Sequence, residues 1–163
     1  MAARRRRSYE PGHRPNTLVV VDDTPECSRA VRYAIRRTAR TGAGLVFLGV
    51  VPPSDGPRLL GVAEAIEAEA RADIEARIGG FVQLARALTG LEAEHVVRTG
   101  DKADEIVAAI EEDEDISILV LAAGIEGDGP GPLVSALARG AIFPIPVTIV
   151  PGGLADEEID ALA

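Results

Sequence analysis

Four short apolar runs and one alternating segment, each followed by a segment with helical periodicity, limit what this chain can fold into. The apolar runs are rich in β-branched residues and too short to be helices, which predicts buried strands; they cover residues 17–21, 45–51, 116–122 and 145–150. The alternating segment, residues 92–98, predicts a third and more exposed strand. The helical segments cover about residues 25–41, 62–88, 102–110, 133–139 and 156–163. Strands that alternate with helices predict an α/β fold with one mostly parallel sheet and helices on both faces.

The 163 residues are enough for a single domain. Residues 1–16 contain five arginines and one acid, together with Pro11 and Pro15, and show no apolar periodicity. They predict a flexible Arg-rich arm, either a solvated tail or a contact for an acidic partner or RNA. The domain itself then spans residues 17–151, and residues 152–163 form an acidic C-terminal tail. With a net charge of −9 for the whole chain, the body repels polyphosphates, and we expect no nucleic-acid partner.

Several classes of protein are disfavoured by composition. One cysteine excludes a disulfide framework, and two histidines in unrelated contexts argue against a metal site. No run approaches 18 apolar residues, and no apolar segment of a signal peptide follows the first arginines. We therefore expect a cytoplasmic protein with no membrane contact and no bound metal.

Ligands of parallel α/β sheets bind beyond the carboxyl ends of the strands. Asp22 and Asp23 follow the first predicted strand, so they are candidates for a ligand contact or half of a magnesium site. They could instead begin the next helix, where acids are favoured and where Thr24 would be the N-cap. Paired acids also occur in phosphorylatable receiver domains, but no acid ends the third strand, and Lys102 precedes a helix rather than following the fifth strand.

The glycine-rich segment 124–132 precedes a helix, which is where phosphate-binding loops occur. Pro130 and Pro132 have no N–H to donate, and Glu126 and Asp128 place negative charge where a phosphate would bind. Ser135, near the start of the helix, is a weaker candidate for a phosphate contact. The sequence contains neither a Walker motif nor G-x-G-x-x-G after a strand.

A catalytic site is not evident. Cys27 lies in the first turn of a predicted helix, where a thiol pKa can fall, so a redox role is one interpretation and a semi-buried structural residue the other. No serine or cysteine nucleophile is paired with a histidine base and an orienting acid. We therefore predict that the chain is not an enzyme.

Several segments resemble the universal stress protein family. They are Leu-Val-Val-Val-Asp at residues 18–22 followed by Pro25, Val-Arg-Thr-Gly at 97–100, residues 116–124, and Pro-Ile-Pro-Val at 144–147. The resemblance implies an adenine nucleotide alpha hydrolase-like sheet of five strands in the order 3-2-1-4-5. It also implies a homodimer through the last strand. Ile145, Val147 and Ile149 support such an interface, because an apolar edge strand needs a partner.

Nucleotide-binding members of that family resemble the pattern G-x2-G-x9-G-[ST], with an aspartate at the end of the first strand. Asp22, Gly124 and Gly127 match, but Leu137 and Ala138 stand where the final pair is expected. The first hypothesis is therefore a dimer that acts in the stress response through protein contacts, requires no cofactor, and binds nucleotide weakly or not at all. The alternative is a protein that binds ATP or AMP through Asp22, Gly124 and Gly127, with Ser135 as a further contact.

Overall fold

A five-stranded parallel sheet with helices on both faces forms the fold in this computed structural model, which describes residues 4–57, 60–125, 129–140 and 143–163. The strands are β1 (Asn16–Val21), β2 (Gly44–Val51), β3 (Glu94–Thr99), β4 (Ile116–Ala123) and β5 (Val147–Pro151). The helices are α1 (Cys27–Thr41), α2 (Val62–Thr89), α3 (Lys102–Glu112), α4 (Pro132–Ala138) and α5 (Asp156–Leu162). The strand order is β3-β2-β1-β4-β5, which confirms the predicted fold.

The central strand β1 is buried on both faces. Successive side chains of a strand point in opposite directions, so Leu18 packs on the side of the sheet that holds Ile106 of α3. Val19 packs on the opposite side, with Val31 of α1 and Ile78 of α2. This double burial explains why the strand is a continuous apolar run rather than an alternating one.

Two predicted boundaries are wrong, for local reasons. Helix α1 begins at Cys27, because the backbone N–H and the hydroxyl of Thr24 both donate to Asp22 Oδ1 and form a turn; Thr24 therefore does not cap the helix. Strand β5 begins at Val147 rather than at residue 145. Ile145 is buried in the core, and Pro146 has no N–H for the sheet.

The N-terminal segment differs from the prediction of a flexible arm. Arg6 Nη1 donates to the carbonyl oxygens of Ile110 and Asp113, so its guanidinium covers the C-terminus of α3. Ser8 is buried and donates its hydroxyl to the carbonyl of Asp115 at 2.9 Å. His13 Nδ1 lies 2.7 Å from Asp115 Oδ1. The N-terminal segment therefore contacts the end of α3 and the acidic residues 113–115 that follow it.

The acidic C-terminus is also packed on the domain. Ile159 of α5 is completely buried. Arg32 donates two hydrogen bonds to the carboxylate of Asp160, and Arg36 donates to the same group. Nη1 of Arg29 lies 2.6 Å from Oδ1 of Asp156. These arginines of α1 therefore hold α5 in place through ion pairs.

The Arg32–Asp160 pair predicts a pH dependence of stability. The hydrogen bond from Arg32, with a further one from Arg36, lowers the pKa of Asp160 to about 2. A carboxylate with a lowered pKa stabilises the folded state above its unfolded pKa near 4, and this contribution is lost as the pH falls through the folded value. We expect Asp160→Asn to lower the melting temperature at pH 7 and to have a smaller effect as the pH falls from 4 to 2.

The control is Glu157→Gln, which removes the same charge from an exposed position of α5. Thermal unfolding followed by circular dichroism measures both variants. If Asp160→Asn lowers the melting temperature by the same amount at pH 7 and pH 2.5, the lowered pKa assigned to Asp160 is contradicted.

Candidate functional site

The carboxyl ends of β1, β2 and β4 lie at one edge of the sheet. Asp22 follows β1, Pro52 follows β2 and Gly124 follows β4. Thr24 donates its backbone N–H to Asp22 Oδ1 at 3.0 Å, which fixes the orientation of the carboxylate. Lys102 Nζ lies 3.5 Å from Asp22 Oδ2. The sequence did not suggest Lys102 for this site, because only the fold places the start of α3 beside the tip of β1.

A large cavity opens at this edge, between the tips of β1 and β2, the middle of α2 and the start of α3. We call it the strand-tip cavity; its volume is about 1050 Å³. Its floor includes the apolar side chains of Val50, Pro52 and Ile74. Charged side chains also line it, and among the described residues carboxylates outnumber cations; these residues are Asp22, Asp23, Asp73, Asp101, Arg77 and Lys102.

A second cavity lies on the other side of the site, beside α4. We call it the loop pocket; its volume is about 410 Å³. Gly124 and Ser135 meet here, together with Glu26 and Arg139. Gly127, the other predicted glycine, lies outside the described residues, as do Glu126 and Asp128. Asp22 is not among the residues that line this pocket.

Residues 130–134 pack beside the ends of β1 and β4 and line a narrow cleft, which shares Asp22 with the strand-tip cavity and Glu26 with the loop pocket. The cleft that remains there has a volume of about 30 Å³, roughly the share of one water molecule in the liquid. Asp22 and Glu26 both line this cleft. Within the described ranges, the structure therefore brings Asp22 to one cavity and Gly124 with Ser135 to another.

The backbone N–H of Gly124 already has a hydrogen-bond partner within the loop. Its N–H donates to the carbonyl of Pro130 at 2.9 Å, which closes the loop on itself. Pro132 occupies the first position of α4 and has no N–H to offer. Two of the backbone positions that a phosphate-binding loop would use are therefore without a free donor.

Glu26 is a site residue that the sequence reasoning missed. A Cβ built on Gly124 would lie 3.1 Å from Glu26 Oε1, so this carboxylate rests against the glycine. The side chain lines both the cleft and the loop pocket. An acid at the start of a helix is ordinary in sequence, and nothing in its spacing indicated that it would face Gly124 across the site.

The surroundings of Cys27 disfavour a redox role. Its thiol lies 3.8 Å from the carbonyl of Val20 and is buried against the core. Burial raises the pKa of the thiol to about 11. Because the thiolate is the reactive species, the thiol is inert at neutral pH.

Neither a metal-binding cluster nor a membrane-spanning helix is present in the described part of the chain. It contains no group of three or more histidine, cysteine, aspartate or glutamate side chains placed to hold a metal ion. No helix in the same residues has both the length and the apolar character that a membrane span requires.

Comparison with known proteins identifies the class to which this fold and site belong. The model of the universal stress protein family matches residues 14–151. The chain therefore belongs to the universal stress protein family, which confirms the resemblance seen in the sequence. A comparison with curated protein sequences finds no match.

Solved structures share the fold at low sequence identity. The universal stress protein UspA from Lactobacillus plantarum is 21% identical with a TM-score of 0.73; the match covers 83% of this chain and 97% of that one. The universal stress protein from Archaeoglobus fulgidus in complex with dAMP is 19% identical, with a TM-score of 0.58 and coverage of 83% and 97%. A family protein from Arabidopsis thaliana with AMP bound is 17% identical, with a TM-score of 0.56 and coverage of 88% and 94%.

The burial of Cys27 leads to a prediction about its reactivity. At pH 8, a thiol with a pKa near 11 contains about 100-fold less thiolate than one with the ordinary pKa of 9.0. We expect the native protein to react with Ellman's reagent about 100-fold more slowly than the same protein unfolded in guanidinium chloride. Equal rates in the two conditions would contradict the buried placement.

Proposed function

We propose that this chain is a non-catalytic, cytoplasmic universal stress protein that acts through protein contacts and binds adenine nucleotides weakly or not at all. One observation carries the proposal: the Glu26 carboxylate rests against Gly124, at the place where the family pattern would put a phosphate. The placement of Asp22 in the strand-tip cavity and of Gly124 in the loop pocket supports it.

The chemistry of phosphate binding explains why this arrangement is unfavourable. A phosphate needs backbone N–H donors and cations, but the N–H of Gly124 is bonded to Pro130. Among the described residues that line the loop pocket, Arg139 carries a positive charge and Glu26 a negative one. Two like charges 4 Å apart repel by about 1 kcal/mol in water and about 4 kcal/mol near a protein surface. The carboxylate thus offsets what the guanidinium would contribute.

The alternative is adenine nucleotide binding. The strand-tip cavity, with its apolar floor and the oriented carboxylate of Asp22, has room for a base and a sugar. Two of the solved structures with this fold hold dAMP and AMP. In this alternative, Asp22 contacts the nucleoside, while Gly124, Gly127 and Ser135 contact phosphate through a rearranged loop.

A charge-removing substitution separates the two hypotheses. We expect isothermal titration to detect no binding of ATP to the natural chain up to about 1 mM, with or without magnesium. Glu26→Gln is expected to raise ATP affinity by about fivefold or more, because it removes the repulsion at Gly124. The control is Glu69→Gln, an exposed position on α2. Micromolar binding of ATP by the natural chain would overturn the first hypothesis.

The homodimer is proposed to form through β5, an edge of the sheet. Ile149 is 42% exposed there, although it is a large apolar residue. Val147 is partly buried, whereas Ile145 is buried within the core and is not available to a partner. Of the three residues expected at the interface, Val147 and Ile149 are therefore the ones that support it. A second copy of the strand would cover the edge and its apolar side chains.

Substitution of Ile149 tests this interface. Ile149→Asp is expected to shift the dimer to monomer, because it places a charge where two apolar edges would meet; Val147→Asp is expected to act in the same direction. Leu162→Asp is the control, since Leu162 is an exposed apolar residue on α5. Size-exclusion chromatography with light scattering measures the mass. A dimer that persists in Ile149→Asp would place the interface elsewhere, and a monomeric natural chain would refute the dimer.

A further inference from the structure

Strand β3 is one edge of the sheet, at the side opposite β5. Gly100, which directly follows β3, donates its backbone N–H to the carbonyl of Val51 in β2. The N–H and C=O groups of a strand point alternately to its two sides, so those of His95, Val97 and Thr99 point away from β2. Within the described residues, these three make no backbone–backbone hydrogen bond outside the sheet. Strand β3 therefore offers a row of unpaired donors and acceptors.

A cavity lies beside this edge, on the face of the sheet that packs against α3 and at the amino ends of the strands. We call it the β3-edge cavity; its volume is about 220 Å³. Its apolar lining includes Leu18, Val46 and Val96, which belong to three neighbouring strands. The volume is below the usual range for small-molecule sites, so it suits a single apolar side chain.

The rim of the β3-edge cavity is acidic. Glu94, Glu112 and Asp113 line it, and the first two are exposed. Arg98 also lines it, but its guanidinium donates to Glu105 at 2.6 Å and to Glu112 at 2.8 Å. Its positive charge is therefore already used within the protein. The remaining acids favour a partner that carries basic side chains.

The adjoining surface at the end of α3 already holds an arginine-rich segment of this chain. Arg4 Nη2 lies 3.0 Å from Glu114 Oε2, and Arg6 Nη1 donates to the carbonyl of Asp113 at 3.0 Å. Residues 4–7 are neither helix nor strand. An extended basic segment thus fits the charge of this end of the molecule. A second copy of β3 does not, because it would bring a second set of the same acids to the edge.

We propose that β3 binds an extended basic segment of a partner protein as a sixth strand of the sheet. Alternate side chains of that segment lie on the α3 face, with an apolar one beside Val96 in the β3-edge cavity and basic ones near Glu94 and Glu112. Main-chain hydrogen bonds supply affinity, while the cavity and the acids supply specificity. The proposal rests on the proposed function, since it assigns to one surface the protein contacts through which the chain acts.

The test uses the seven-residue peptide Thr-Arg-Thr-Ile-Thr-Arg-Thr with blocked ends, whose arginines and isoleucine share one face when it is extended. It is titrated into the full chain by isothermal titration at 50 mM and 300 mM sodium chloride. We expect a Kd below about 300 μM at low salt, and binding at least about threefold weaker at high salt, because salt screens the attraction. The control peptide has glutamate in place of both arginines and is expected not to bind at 1 mM.

Hydrogen exchange resolved by NMR locates the bound peptide. With saturating peptide, we expect the amides of His95, Val97 and Thr99 to exchange at least about 10-fold more slowly than in the free chain. The peptide leaves the amides of β5, at the other edge, unchanged. Protection at β5 instead of β3, or at neither edge, would overturn the inference. Protection of β3 in the free chain that disappears on dilution would place a second copy there and also overturn it.

Variants of β3 test the contributions of its backbone and its charge. His95 is exposed, and His95→Pro removes an outward N–H at a position of an edge strand where proline is tolerated. We expect it to weaken peptide binding at least about 10-fold, whereas His95→Ala keeps the N–H and binds within about twofold of the natural chain. Equal binding by these two variants would contradict pairing with β3.

Glu94→Gln tests the acidic rim and does not depend on whether the proline variant folds. It is expected to weaken peptide binding about threefold, because it removes one attractive charge. The control is Glu69→Gln, an exposed position on α2. Equal effects of the two variants would assign the binding to the net charge of the protein and overturn the inference.

The results separate this inference from the proposed function. If the arginine peptide does not bind at 1 mM, the inference is overturned, whereas the ATP titrations that test the proposed function do not involve β3. If the peptide fails to bind and ATP binds with micromolar affinity, both are overturned. Peptide binding that protects the amides of β3 supports the inference.

Discussion

Burial of β1 on both faces is the constraint on which the rest of the structure depends. Leu18 packs toward α3 and Val19 toward α1 and α2, and both are completely buried. An unpaired charge buried along such a strand would carry a large desolvation cost. The first acidic side chain after the strand is at its tip, where Asp22 meets the turn of Thr24 and the amine of Lys102.

The distribution of charge links the stability of the fold to the properties of the site. Arg32 and Arg36 hold Asp160, and Arg6 covers the end of α3, so these guanidinium groups act in packing rather than in ligand binding. Among the described residues at the strand tips the acids are in excess.

Much of the fold was predictable, since the hydrophobic pattern and the turn residues agree along the chain. The five strands, their order and the place of Asp22 were predicted from the apolar runs and the family resemblance. The role of Thr24 was not, because its hydroxyl bonds back to Asp22 instead of capping α1. The packing of residues 4–15 was also missed, since their partners, Ile110 and the acids after it, lie about 100 residues away in sequence.

The sequence alone determined the class of fold, the acid at the tip of the first strand, and the absence of a complete phosphate-binding glycine pattern. Each of these depends on residues that are close together along the chain. The tertiary structure decided how those parts relate in space. It placed Lys102 against Asp22, set Glu26 against Gly124, and packed residues 130–134 along the narrow cleft beside Asp22 and Glu26. These relations join segments that are distant along the chain, and only the packing of helices on the sheet fixes the distances between them.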